Sequence, residues 1–488
     1  MQHKTEQADH ILMPTVITIL SKKELDELGF IDSREKEAVN SWLNEHPWTG
    51  VKNMLLVRLK EIKEKPQKYM DFKPFDQLIT QLQGISAKTN TDELKSTKTS
   101  TLTNSILPYT ILGEDYIDDG SRQQMDKAMQ LPIAAAGALM PDAHQGYGLP
   151  IGGVFAAKDA VIPYGVGMDI GCRMCLSAYP EELIKRFKKP EKLEHLLLEE
   201  SRFGTDYFKE RKAHAVLEDK AFDEIPFLRG LKDKAYEQFG TSGQGNHFID
   251  LGLLTISEDR SAIGLPNGRY FAMLSHSGSR ALGAEIARHY TRIAKSLRQL
   301  PKGFTELSWL YLSEEEGQEY WRAMELAGAY SRANHEFIHQ RMAKALGVDA
   351  LQILQNHHNF AWKESLPGIG DVVVHRKGAT PAQDGVMGII PGSMTAPAFV
   401  IRGAGDEKSL YSASHGAGRL MSRKAAKRSI SKAELQSYLK KNGVHLIGGN
   451  VDEAPWVYKN IERVMEYQKD QLEILAKFEP RMVRMASG

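Results

Sequence analysis

Carboxylate, imidazole and thiol groups recur beside glycine after residue 140 of this sequence. Asp142 and His144 fall in a predicted glycine-rich turn, and a second glycine-rich segment contains Asp169 and Cys172. At a spacing of three residues, the Asp169 carboxylate and the Cys172 thiolate can reach one metal ion, and a thiolate can also bridge two. Two alternatives stay open. Cys172 is a small buried apolar residue, or it forms half of a structural zinc site with Cys175, which no second cysteine pair completes.

Four further loops, rich in small or amide residues, carry histidines. These histidines are His247, His276, the pair His357 and His358, and His415. A lone histidine in a loop is usually a hydrogen-bonded core or surface residue. Several together, with small neighbours that let a metal or a phosphate approach the backbone, indicate a metal or phosphate site. Imidazole, carboxylate and one thiolate suit Mn, Zn, Fe or Co and fit Ca or Mg poorly.

Candidate phosphate-binding groups come from the same region. They are Ser279 with Arg280, segment 376–379, segment 391–394, and segment 416–419. These segments supply guanidinium, ammonium, hydroxyl and backbone N–H groups, although each one alone is also typical of an ordinary glycine turn. The sequence contains no G-x-x-x-x-G-K-[ST] motif, so a Walker-type NTPase is not expected.

Two further features bear on nucleic acid. Segment 452–459 supplies aromatic rings that could stack on a base, although it also fits a helix start with a proline in the first turn. A basic cluster consists of Arg419, Arg423, Lys424, Lys427, Arg428 and Lys432, and such a cluster is equally typical of a solvated helix face. The net charge of +1, from 63 Lys+Arg against 62 Asp+Glu, provides no global attraction to nucleic acid.

Length and composition restrict the class of protein. At 488 residues, with 42% hydrophobic and 26% charged side chains, the chain is long enough for two or three domains and needs no disulfide or metal to fold. Its two cysteines cannot form a secreted disulfide framework. The N-terminus lacks the apolar segment of a signal peptide, and no apolar run approaches the ~20 residues that span a bilayer. We therefore expect a globular, cytoplasmic protein that does not enter a membrane.

The elements that must position these groups fall into two regions. Residues 1–84 are predicted to be mostly helical, and residues 85–106, rich in Ser, Thr, Asn and Lys, are predicted to be a polar linker. Apolar residues recur at helical spacing at Val51, Met54, Leu55, Val57, Leu59 and Ile62. Beyond residue 107, predicted strands (151–157, 274–280, 371–376, 398–403) occur with predicted helices (180–200, 282–299, 313–345). The pattern predicts an α+β fold with one large catalytic domain over 107–488.

Taken in order, these motifs resemble those of the RtcB family of RNA ligases, and they look closest to its bacterial branch. The resemblance extends from about residue 107 to the C-terminus, roughly three-quarters of the chain. It rests on blocks at 141–148, 167–172, 243–248, 276–280, 357–359, 376–379, 391–394, 414–419 and 452–459. So many blocks in family order are a highly specific signal. The resemblance implies an RtcB-like catalytic domain of mixed β-sheets and helices, preceded by a helical extension (residues 1–106) without a counterpart in the minimal family core.

The resemblance implies a GTP- and manganese-dependent enzyme that joins an RNA 3′-phosphate or 2′,3′-cyclic phosphate to a 5′-hydroxyl, in RNA repair or tRNA splicing. His415 matches the family's nucleophile, which attacks the α-phosphate of GTP and forms a guanylyl-histidine. GMP then passes to the RNA 3′-phosphate, and the 5′-hydroxyl displaces it. Neutral imidazole suits this task near pH 7. Asp142 is expected to assist the incoming 5′-hydroxyl, and an archease-type activating protein is an implied partner.

The resemblance also assigns binding positions. Two manganese ions are expected at Asp169, Cys172, His247, His276 and His358, with Cys172 bridging them. The expected nucleotide contacts are Asn246, Asp250, Ser393, Gly416, Ala417, Gly418 and Tyr458, the last by stacking on guanine. The expected RNA contacts are Arg280, Lys377, Arg419 and Arg423.

The chain departs from the family pattern around the nucleotide. Arg173 replaces a glycine beside the bridging cysteine, Asp250 replaces a glutamate, and Ala398 replaces a serine of the GMP pocket. The Lys-Gly ending whose lysine contacts guanine is absent, and Arg484 is expected to substitute for it. These changes leave His415 and the metal positions unaltered. Two alternative functions are a guanylyltransferase that caps RNA 3′-phosphates with little sealing, and a catalytically weak RNA-binding protein with a structural metal site.

Overall fold

The protein is described by a computed structural model over residues 16–49, 52–69, 73–83, 102–210, 212–257 and 261–487. The chain divides into two compact units, Met1–Lys98 and Thr99–Gly488. The division falls inside the predicted linker 85–106, of which residues 85–101 lie outside the described ranges. Each of the two units has a hydrophobic core of its own.

The described part of the N-terminal unit is mostly helical, as predicted. Its strands are β1 (Val16–Ile17) and β2 (Trp48–Thr49), which pair antiparallel, and its α-helices are α1 (Lys22–Glu27), α2 (Ser33–Glu45), α3 (Lys52–Glu64) and α4 (75–83). The Ser21 side chain caps α1 and the Asp32 side chain caps α2, each by accepting a backbone N–H of the first turn. The helices enclose a core that includes Leu25, Trp42, Leu59 and Leu78.

Helix α3 corrects one detail of the sequence prediction. Its buried residues are Leu55, Leu59 and Ile62, which share one face of the helix. Met54 and Val57 are 58% and 62% exposed, because they lie on the opposite face. Their predicted place in the apolar stripe was wrong, and Val51 lies outside the described residues.

The larger unit combines short strands with helices of very different length. Its strands are β3 (Thr110–Ile111), β4 (Ala134–His144), β5 (Ile151–Ala157), β6 (Ala160–Val161), β7 (Arg173–Tyr179), β8 (Phe248–Ile256), β9 (Gly268–Ser277), β10 (Leu310–Tyr311), β11 (Gln352–His357), β12 (Asn359–Leu366), β13 (Gly370–Lys377), β14 (Ala379–Pro381), β15 (Met387–Ile390), β16 (Ala398–Gly403), β17 (Ser412–Ser414), β18 (His445–Gly449) and β19 (Leu472–Ser487). Its α-helices are α5 (Asp119–Ala128), α6 (Pro163–Val166), α7 (Pro190–Glu200), α8 (Ala221–Glu224), α9 (Pro226–Arg229), α10 (Lys232–Gln238), α11 (Arg280–Leu297), α12 (Glu315–Leu346), α13 (Arg423–Ser429), α14 (Lys432–Lys441) and α15 (Ile461–Glu466).

Two larger sheets organise this unit. The first has eight strands, with β11-β7-β9-β8-β19-β16-β15 in antiparallel order and β18 paired parallel to β19. The second has five strands in the order β12-β13-β5-β4-β3. The long helix α12 packs against α11 and against strands β7 and β9. None of the helices in the described ranges is long and apolar enough to cross a membrane.

The mixed α and β architecture confirms the predicted fold class. The strands predicted at 151–157 and 398–403 have the observed bounds of β5 and β16. The strand predicted at 274–280 instead ends at Ser277, and Arg280 begins α11. The helix predicted at 180–200 is split into a 3₁₀ segment, Glu181–Lys188, and α7, because Pro190 has no N–H for a continuous helix.

Candidate active site

One end of the eight-stranded sheet collects the predicted metal ligands. Strand β7 begins one residue after Cys172, β8 begins one residue after His247, and β9 ends one residue after His276. Since β9 lies between β7 and β8 in antiparallel register, these residues meet at the same edge. Asp169 lies in the turn before Cys172, and His358 lies between β11 and β12.

The five side chains converge on the Cys172 thiol, and we refer to them as the open cluster. Cys172 Sγ lies 3.1 Å from His276 Nε2 and 3.5 Å from His247 Nε2. His247 Nε2 lies 2.9 Å from Asp169 Oδ2, and His276 Nε2 lies 3.2 Å from His358 Nε2. The ligand atoms form two groups, Asp169–Cys172–His247 and Cys172–His276–His358, each within 4.8 Å. Because both groups contain Cys172, the arrangement fits two ions bridged by its sulfur.

Backbone atoms around the open cluster leave room for its ligands and orient them. The Nδ1 of His276 lies 3.1 Å from the carbonyl oxygen of Asn246, so that nitrogen carries the proton and Nε2 presents a lone pair to the cluster. A Cβ at Gly278 would lie 1.9 Å from Asp169 Oδ1, and one at Gly243 would lie 1.8 Å from His247 Nδ1. Only glycine at these two positions permits the carboxylate and the imidazole to lie where they do.

Burial favours the neutral, metal-binding form of two imidazoles of the open cluster, His276 and His358. Burial, assisted by the charge of His247, lowers the pKa of His276 to about 3, and burial also lowers the pKa of His358 well below its ordinary value. Burial raises the pKa of the Cys172 thiol, and the neighbouring Asp169 raises it further. For Asp169, burial opposes ionisation, but the charge and hydrogen bond of His247 outweigh it and lower the pKa to about 2. A divalent cation would reverse the effect on Cys172 and hold it as a thiolate.

The predicted nucleophile, His415, follows β17 and is held by a buried carboxylate. Asp142 Oδ2 accepts from the backbone N–H of His415 at 3.2 Å and lies 2.6 Å from its Nδ1. An ionised carboxylate only accepts, so Nδ1 carries the proton and Nε2 keeps its lone pair. The His415 ring centroid lies 5.0 Å from that of His358, which places the predicted nucleophile beside the open cluster. Sequence analysis expected Asp142 to assist the 5′-hydroxyl, whereas the structure buries it fully against His415.

A lysine fixes the segment that carries this carboxylate. Lys459 Nζ donates to the carbonyl oxygens of Pro141 at 2.9 Å, Ala143 at 2.8 Å and Tyr116 at 2.7 Å. Two of these bonds flank Asp142, so the lysine holds the backbone on both sides of the carboxylate that positions His415.

His415 lines a cavity of about 420 Å³ together with four of the five residues of the open cluster, namely Asp169, Cys172, His276 and His358. His247 is not among the lining residues. This volume is within the range of small-molecule sites. Its apolar lining includes Phe248, Leu274, Phe478, Val483 and Met485. Its lining also includes the predicted nucleotide-contact residues Asn246, Asp250, Ser393, Gly416, Ala417, Gly418 and Tyr458. The structure therefore brings together residues that are distant in the sequence around a space of mononucleotide size.

Two of the sequence departures lie in the wall of this cavity. Asp250 and Ala398 both line it. The Oδ1 atom of Asp250 is buried and has no hydrogen-bond partner among the described residues. Burial raises the pKa of this carboxyl well above its ordinary value, which favours the protonated form, and that form can donate a hydrogen bond to a ligand.

The predicted RNA-contacting residues divide into two groups. Lys377, Arg419 and Arg423 line the cavity. Lys377 Nζ donates to the carbonyl oxygens of Tyr147 and Tyr164, and burial lowers its pKa to about 7. Arg280 does not line the cavity; its guanidinium donates to Thr241 Oγ1 at 3.1 Å and to the Gly204 carbonyl at 2.9 Å.

Acidic partners that sequence analysis did not assign hold the two cavity arginines. Arg419 lies 3.4 Å from Glu453 Oε2, and Arg423 pairs with both Asp452 and Glu453. The Tyr458 hydroxyl also donates to Glu453. The sequence signal was available, because Asp452 and Glu453 belong to the same block as Tyr458.

Two other predictions on basic residues need correction. Arg484 is absent from the described lining of the cavity. Its neighbours Val483 and Met485 line the cavity, and side chains alternate along a strand, so Arg484 points to the other face of β19 and donates to the Leu197 carbonyl. Arg376, a candidate phosphate ligand, is fully buried and makes two hydrogen bonds to Glu364, at 2.5 and 3.1 Å.

His144 also lines the cavity, although sequence analysis gave it no role. Its Nδ1 lies 3.0 Å from the Asp142 carbonyl oxygen, and burial lowers its pKa to about 4. It is therefore a neutral imidazole beside the nucleophile. Asp142 and His144 lie at the end of strand β4 and not in the predicted turn. The signal that could have found His144 is its position two residues after Asp142 in the same segment.

These features define a class. A histidine oriented by a buried carboxylate, beside a cluster of side chains that could bind metal and within a nucleotide-sized cavity, is typical of metal-dependent enzymes that transfer phosphoryl or nucleotidyl groups. A sequence model of the family described as "tRNA-splicing ligase RtcB" matches residues 124–226 and 185–486. This chain belongs to the RtcB family of RNA ligases.

Relatives from bacteria and archaea are similar over most of the chain. The RNA-splicing ligase RtcB of Escherichia coli (strain K12) is 31% identical over 393 residues, covering 74% of this chain and 92% of the relative. The tRNA-splicing ligase RtcB of Thermococcus kodakarensis is 31% identical over 434 residues, covering 72% of this chain and 90% of the relative. The RNA-splicing ligase RtcB of Mycobacterium tuberculosis is 30% identical over 400 residues, covering 68% and 92%.

Proposed function

We propose that this protein is a GTP-dependent RNA ligase that joins an RNA 3′-phosphate or 2′,3′-cyclic phosphate end to a 5′-hydroxyl end, with His415 as the nucleophile. The observation that carries the proposal is the 2.6 Å contact between His415 Nδ1 and the buried Asp142 carboxylate. In the neutral imidazole, this contact favours the tautomer that leaves Nε2 nucleophilic, in a cavity that four of the five residues of the open cluster also line. We assign the activity to residues 107–488, which contain every residue of this site.

The proposed reaction has three transfers. His415 Nε2 attacks the α-phosphorus of GTP, a phosphorus–nitrogen bond forms, and pyrophosphate leaves with the electron pair of the broken P–O bond. An oxygen of the RNA 3′-phosphate then attacks the same phosphorus, and the bond to His415 breaks. Finally the RNA 5′-hydroxyl attacks the activated 3′-phosphate and releases its proton to solvent, and GMP leaves with the electron pair of the broken P–O bond. A 2′,3′-cyclic phosphate end is first hydrolysed by water to the 3′-phosphate. Asp142 stabilises the positive charge that His415 gains in the first transfer.

The open cluster would hold two divalent cations, which the family resemblance identifies as manganese. One ion would be bound by Asp169, Cys172 and His247. The other would be bound by Cys172, His276 and His358. Bound there, the ions supply positive charge to the phosphoryl oxygens in each transfer.

The rest of the cavity supports a guanine nucleotide. Its apolar residues can cover a base, while Asn246, Ser393 and the backbone at 416–418 supply polar groups for ribose and phosphate. In its protonated form, which burial favours, the Asp250 carboxyl can donate to an acceptor such as guanine N7 or O6. We propose Arg423 as the RNA contact, because its side chain is 42% exposed. The exposed Lys424 and Arg428 of α13 extend the same basic surface.

The test is incubation with α-labelled GTP and manganese, followed by a denaturing gel. We expect an acid-labile label on the wild-type protein and none on His415→Ala. His445→Ala is the matched control, because His445 is 45% exposed, pairs with Glu194 and lies outside the cavity lining. Label on His415→Ala, or no label on the wild type at any manganese concentration with or without an archease-type activator, would contradict the proposal.

A second gel, with end-labelled RNA, separates ligation from the alternatives. A longer or circular strand shows sealing, whereas a strand that gains only GMP shows a capping guanylyltransferase. If His415→Ala and wild type bind RNA equally and neither produces either product, the protein is an RNA-binding protein with a structural metal site.

A further inference from the structure

The opposite face of strands β7 and β9 carries a second set of metal-ligating side chains. Side chains alternate along a strand, so Ser275 and Ser277 point away from the face that His276 occupies. Cys175 pairs directly with Ser275 across the two strands. Helix α12 packs on this face. Its residues His335 and His339, one helical turn apart, lie beside the pair of Cys175 and Ser275.

Cys175, His335 and His339, which we call the closed cluster, are tightly gathered. Their ligand atoms lie within 4.8 Å of one another, and the three side chains are 0%, 0% and 2% exposed. The Ser275 hydroxyl lies between the two imidazoles, with Oγ 2.8 Å from His335 Nδ1 and 2.8 Å from His339 Nε2. The Cys175 thiol makes no hydrogen bond with any residue in the described ranges.

The outward-facing nitrogen of each ring is anchored. His335 Nε2 lies 3.2 Å from the Ser277 carbonyl oxygen, so it carries the proton and leaves a lone pair on Nδ1, which faces the cluster. His339 Nδ1 lies 2.6 Å from Ser177 Oγ, which can accept its proton and leave a lone pair on Nε2. Metal-binding histidines in proteins are oriented by hydrogen bonds of this kind on their second nitrogen.

We propose that Cys175, His335 and His339 bind a zinc ion, with the Ser275 hydroxyl oxygen as the fourth ligand. One thiolate and two imidazoles, buried and contributed by two secondary-structure elements, are donors that zinc prefers, and with the serine oxygen they complete the four ligands of a structural zinc site. Binding replaces the thiol proton, which is released to solvent. The proposal is independent of the function proposed above, because neither its residues nor its geometry involve the nucleotide cavity.

A neighbouring cavity provides a path for the ion. It has a volume of about 520 Å³, and Ser177, Tyr179 and His339 line it together with Lys344 and Asp349 of the α12 end and following loop. His339 and its hydrogen-bond partner Ser177 therefore lie at the boundary between the closed cluster and this space. A buried site that binds metal after folding needs such an entrance.

The proposed ion would crosslink secondary-structure elements of the larger unit. It would join α12 to β7 and β9 directly beneath the residues that the same strands contribute to the open cluster. Cys172 precedes β7 and His276 lies on β9, so the closed cluster would fix the spacing of these two ligands from behind.

The first experiment counts the metal ions. Native mass spectrometry of the full chain, loaded with zinc and manganese and then desalted, should show one zinc equivalent fewer in Cys175→Ala than in the wild type. Cys172→Ala is the matched control, because it removes the other thiol of the chain and should keep that zinc equivalent. His375→Asn controls for loss of a buried imidazole, since His375 is bound to the backbone at Ile162 and Phe155 and lies outside both clusters.

Cobalt substitution supplies a readout that does not depend on counting. In Cys172→Ala, cobalt should still give a thiolate-to-metal charge-transfer band and the intense visible bands of a tetrahedral site, and Cys172→Ala/Cys175→Ala should lose both. If Cys172→Ala fails to fold, the same comparison is made between wild type and Cys175→Ala, where about one-third of the charge-transfer intensity should disappear, because Cys175 supplies one of three thiolate–cobalt bonds. Equal zinc content and equal cobalt spectra in wild type and Cys175→Ala would overturn the proposal and leave the Ser275 hydroxyl as a metal-free hydrogen-bond bridge.

Discussion

The two faces of strands β7 and β9 carry similar ligand types in different surroundings. On one face, the open cluster combines a carboxylate, a thiol and three imidazoles, and the Asp169 side chain is 32% exposed to a cavity. On the other, the closed cluster combines a thiol and two imidazoles, none more than 2% exposed. Solvent access, rather than ligand chemistry, is the main difference between them.

This difference separates two uses of the same chemistry. A metal that performs catalysis needs a coordination position that a substrate can enter, whereas a structural metal is enclosed by protein ligands. The open cluster meets the first condition because His415 and the nucleotide-sized cavity lie beside it. The closed cluster meets the second because strands on one side and α12 on the other cover it. Substitution of ligands in the open cluster should therefore lower activity, whereas substitution of ligands in the closed cluster should mainly lower stability.

The largest difference is expected from the two thiols. Cys172→Ser should lower RNA ligation by about 10⁴-fold, because the ligand shared by both metal groups is lost and with it several kcal/mol of charge stabilisation. Cys175→Ser should lower the rate by no more than about tenfold and show its defect in thermal stability. Rates are measured on folded protein at saturating manganese. Equal loss of activity in the two variants would remove the distinction between the faces.

Asp142→Asn should have the next largest effect. An amide can hold His415 in the other tautomer, with the proton on Nε2, so guanylylation should slow by about 10³-fold while metal binding is retained. Single-turnover transfer of labelled GMP measures the rate, and manganese titration measures the binding. A variant that guanylylates normally would show that the carboxylate contact is only structural.

The residues of the open cluster were largely predictable from sequence, whereas those of the closed cluster were not. Asp169, Cys172 and the loop histidines stand among glycines, serines and amides, a local composition that helices and strands rarely have. His335 and His339 lie inside α12 among ordinary helix-forming residues, so nothing local marks them. Their relation to Cys175 depends on how α12 crosses β7 and β9, which only the folded chain defines. The same reason explains why Cys175 was paired in the sequence analysis with Cys172 instead.

Strand alternation limited the prediction in a second way. Arg484 was expected at guanine because it is the basic residue nearest the C-terminus of the chain, but the register of β19 turns it away from the cavity. Arg376 and Lys377 are neighbours in β13, yet Arg376 pairs with Glu364 while Lys377 lines the cavity. A register shift of one residue exchanges such roles, and the sequence of a short strand does not determine its register.

A smaller effect is expected from the backbone that supports the open cluster. In Gly278→Ala, the new Cβ would lie 1.9 Å from Asp169 Oδ1 and displace the carboxylate. Manganese affinity, measured by calorimetry, should fall by about 10- to 100-fold, the scale of losses from altered support of a ligand. Gly230→Ala is the matched control, because its Cβ would meet only one atom, at 3.8 Å. Equal affinities in the two variants would show that Asp169 is not held by this contact.

The last effect concerns stability rather than activity or metal affinity, and it is expected from Lys377, which lines the cavity beside the open cluster. Burial lowers its pKa from 10.5 to about 7, so between these values the unfolded chain binds a proton that the folded chain does not. Unfolding then takes up a proton, and raising the pH from 7 to 10 should stabilise the wild type relative to Lys377→Met by at most about 1.4 kcal/mol per pH unit. Below pH 7 both states hold the proton, and the difference should become constant.

Urea denaturation of both proteins from pH 6 to 10 measures this difference, with Lys424→Met as the control because Lys424 is an exposed lysine of the same unit. The Lys424→Met curve should remain parallel to that of the wild type. A Lys377→Met curve that is also parallel would mean that Lys377 keeps its proton in the folded chain. In that case the charged Lys377 ammonium lines the nucleotide cavity throughout this pH range. The surroundings of the open cluster would then differ from those of the closed cluster in charge as well as in solvent access.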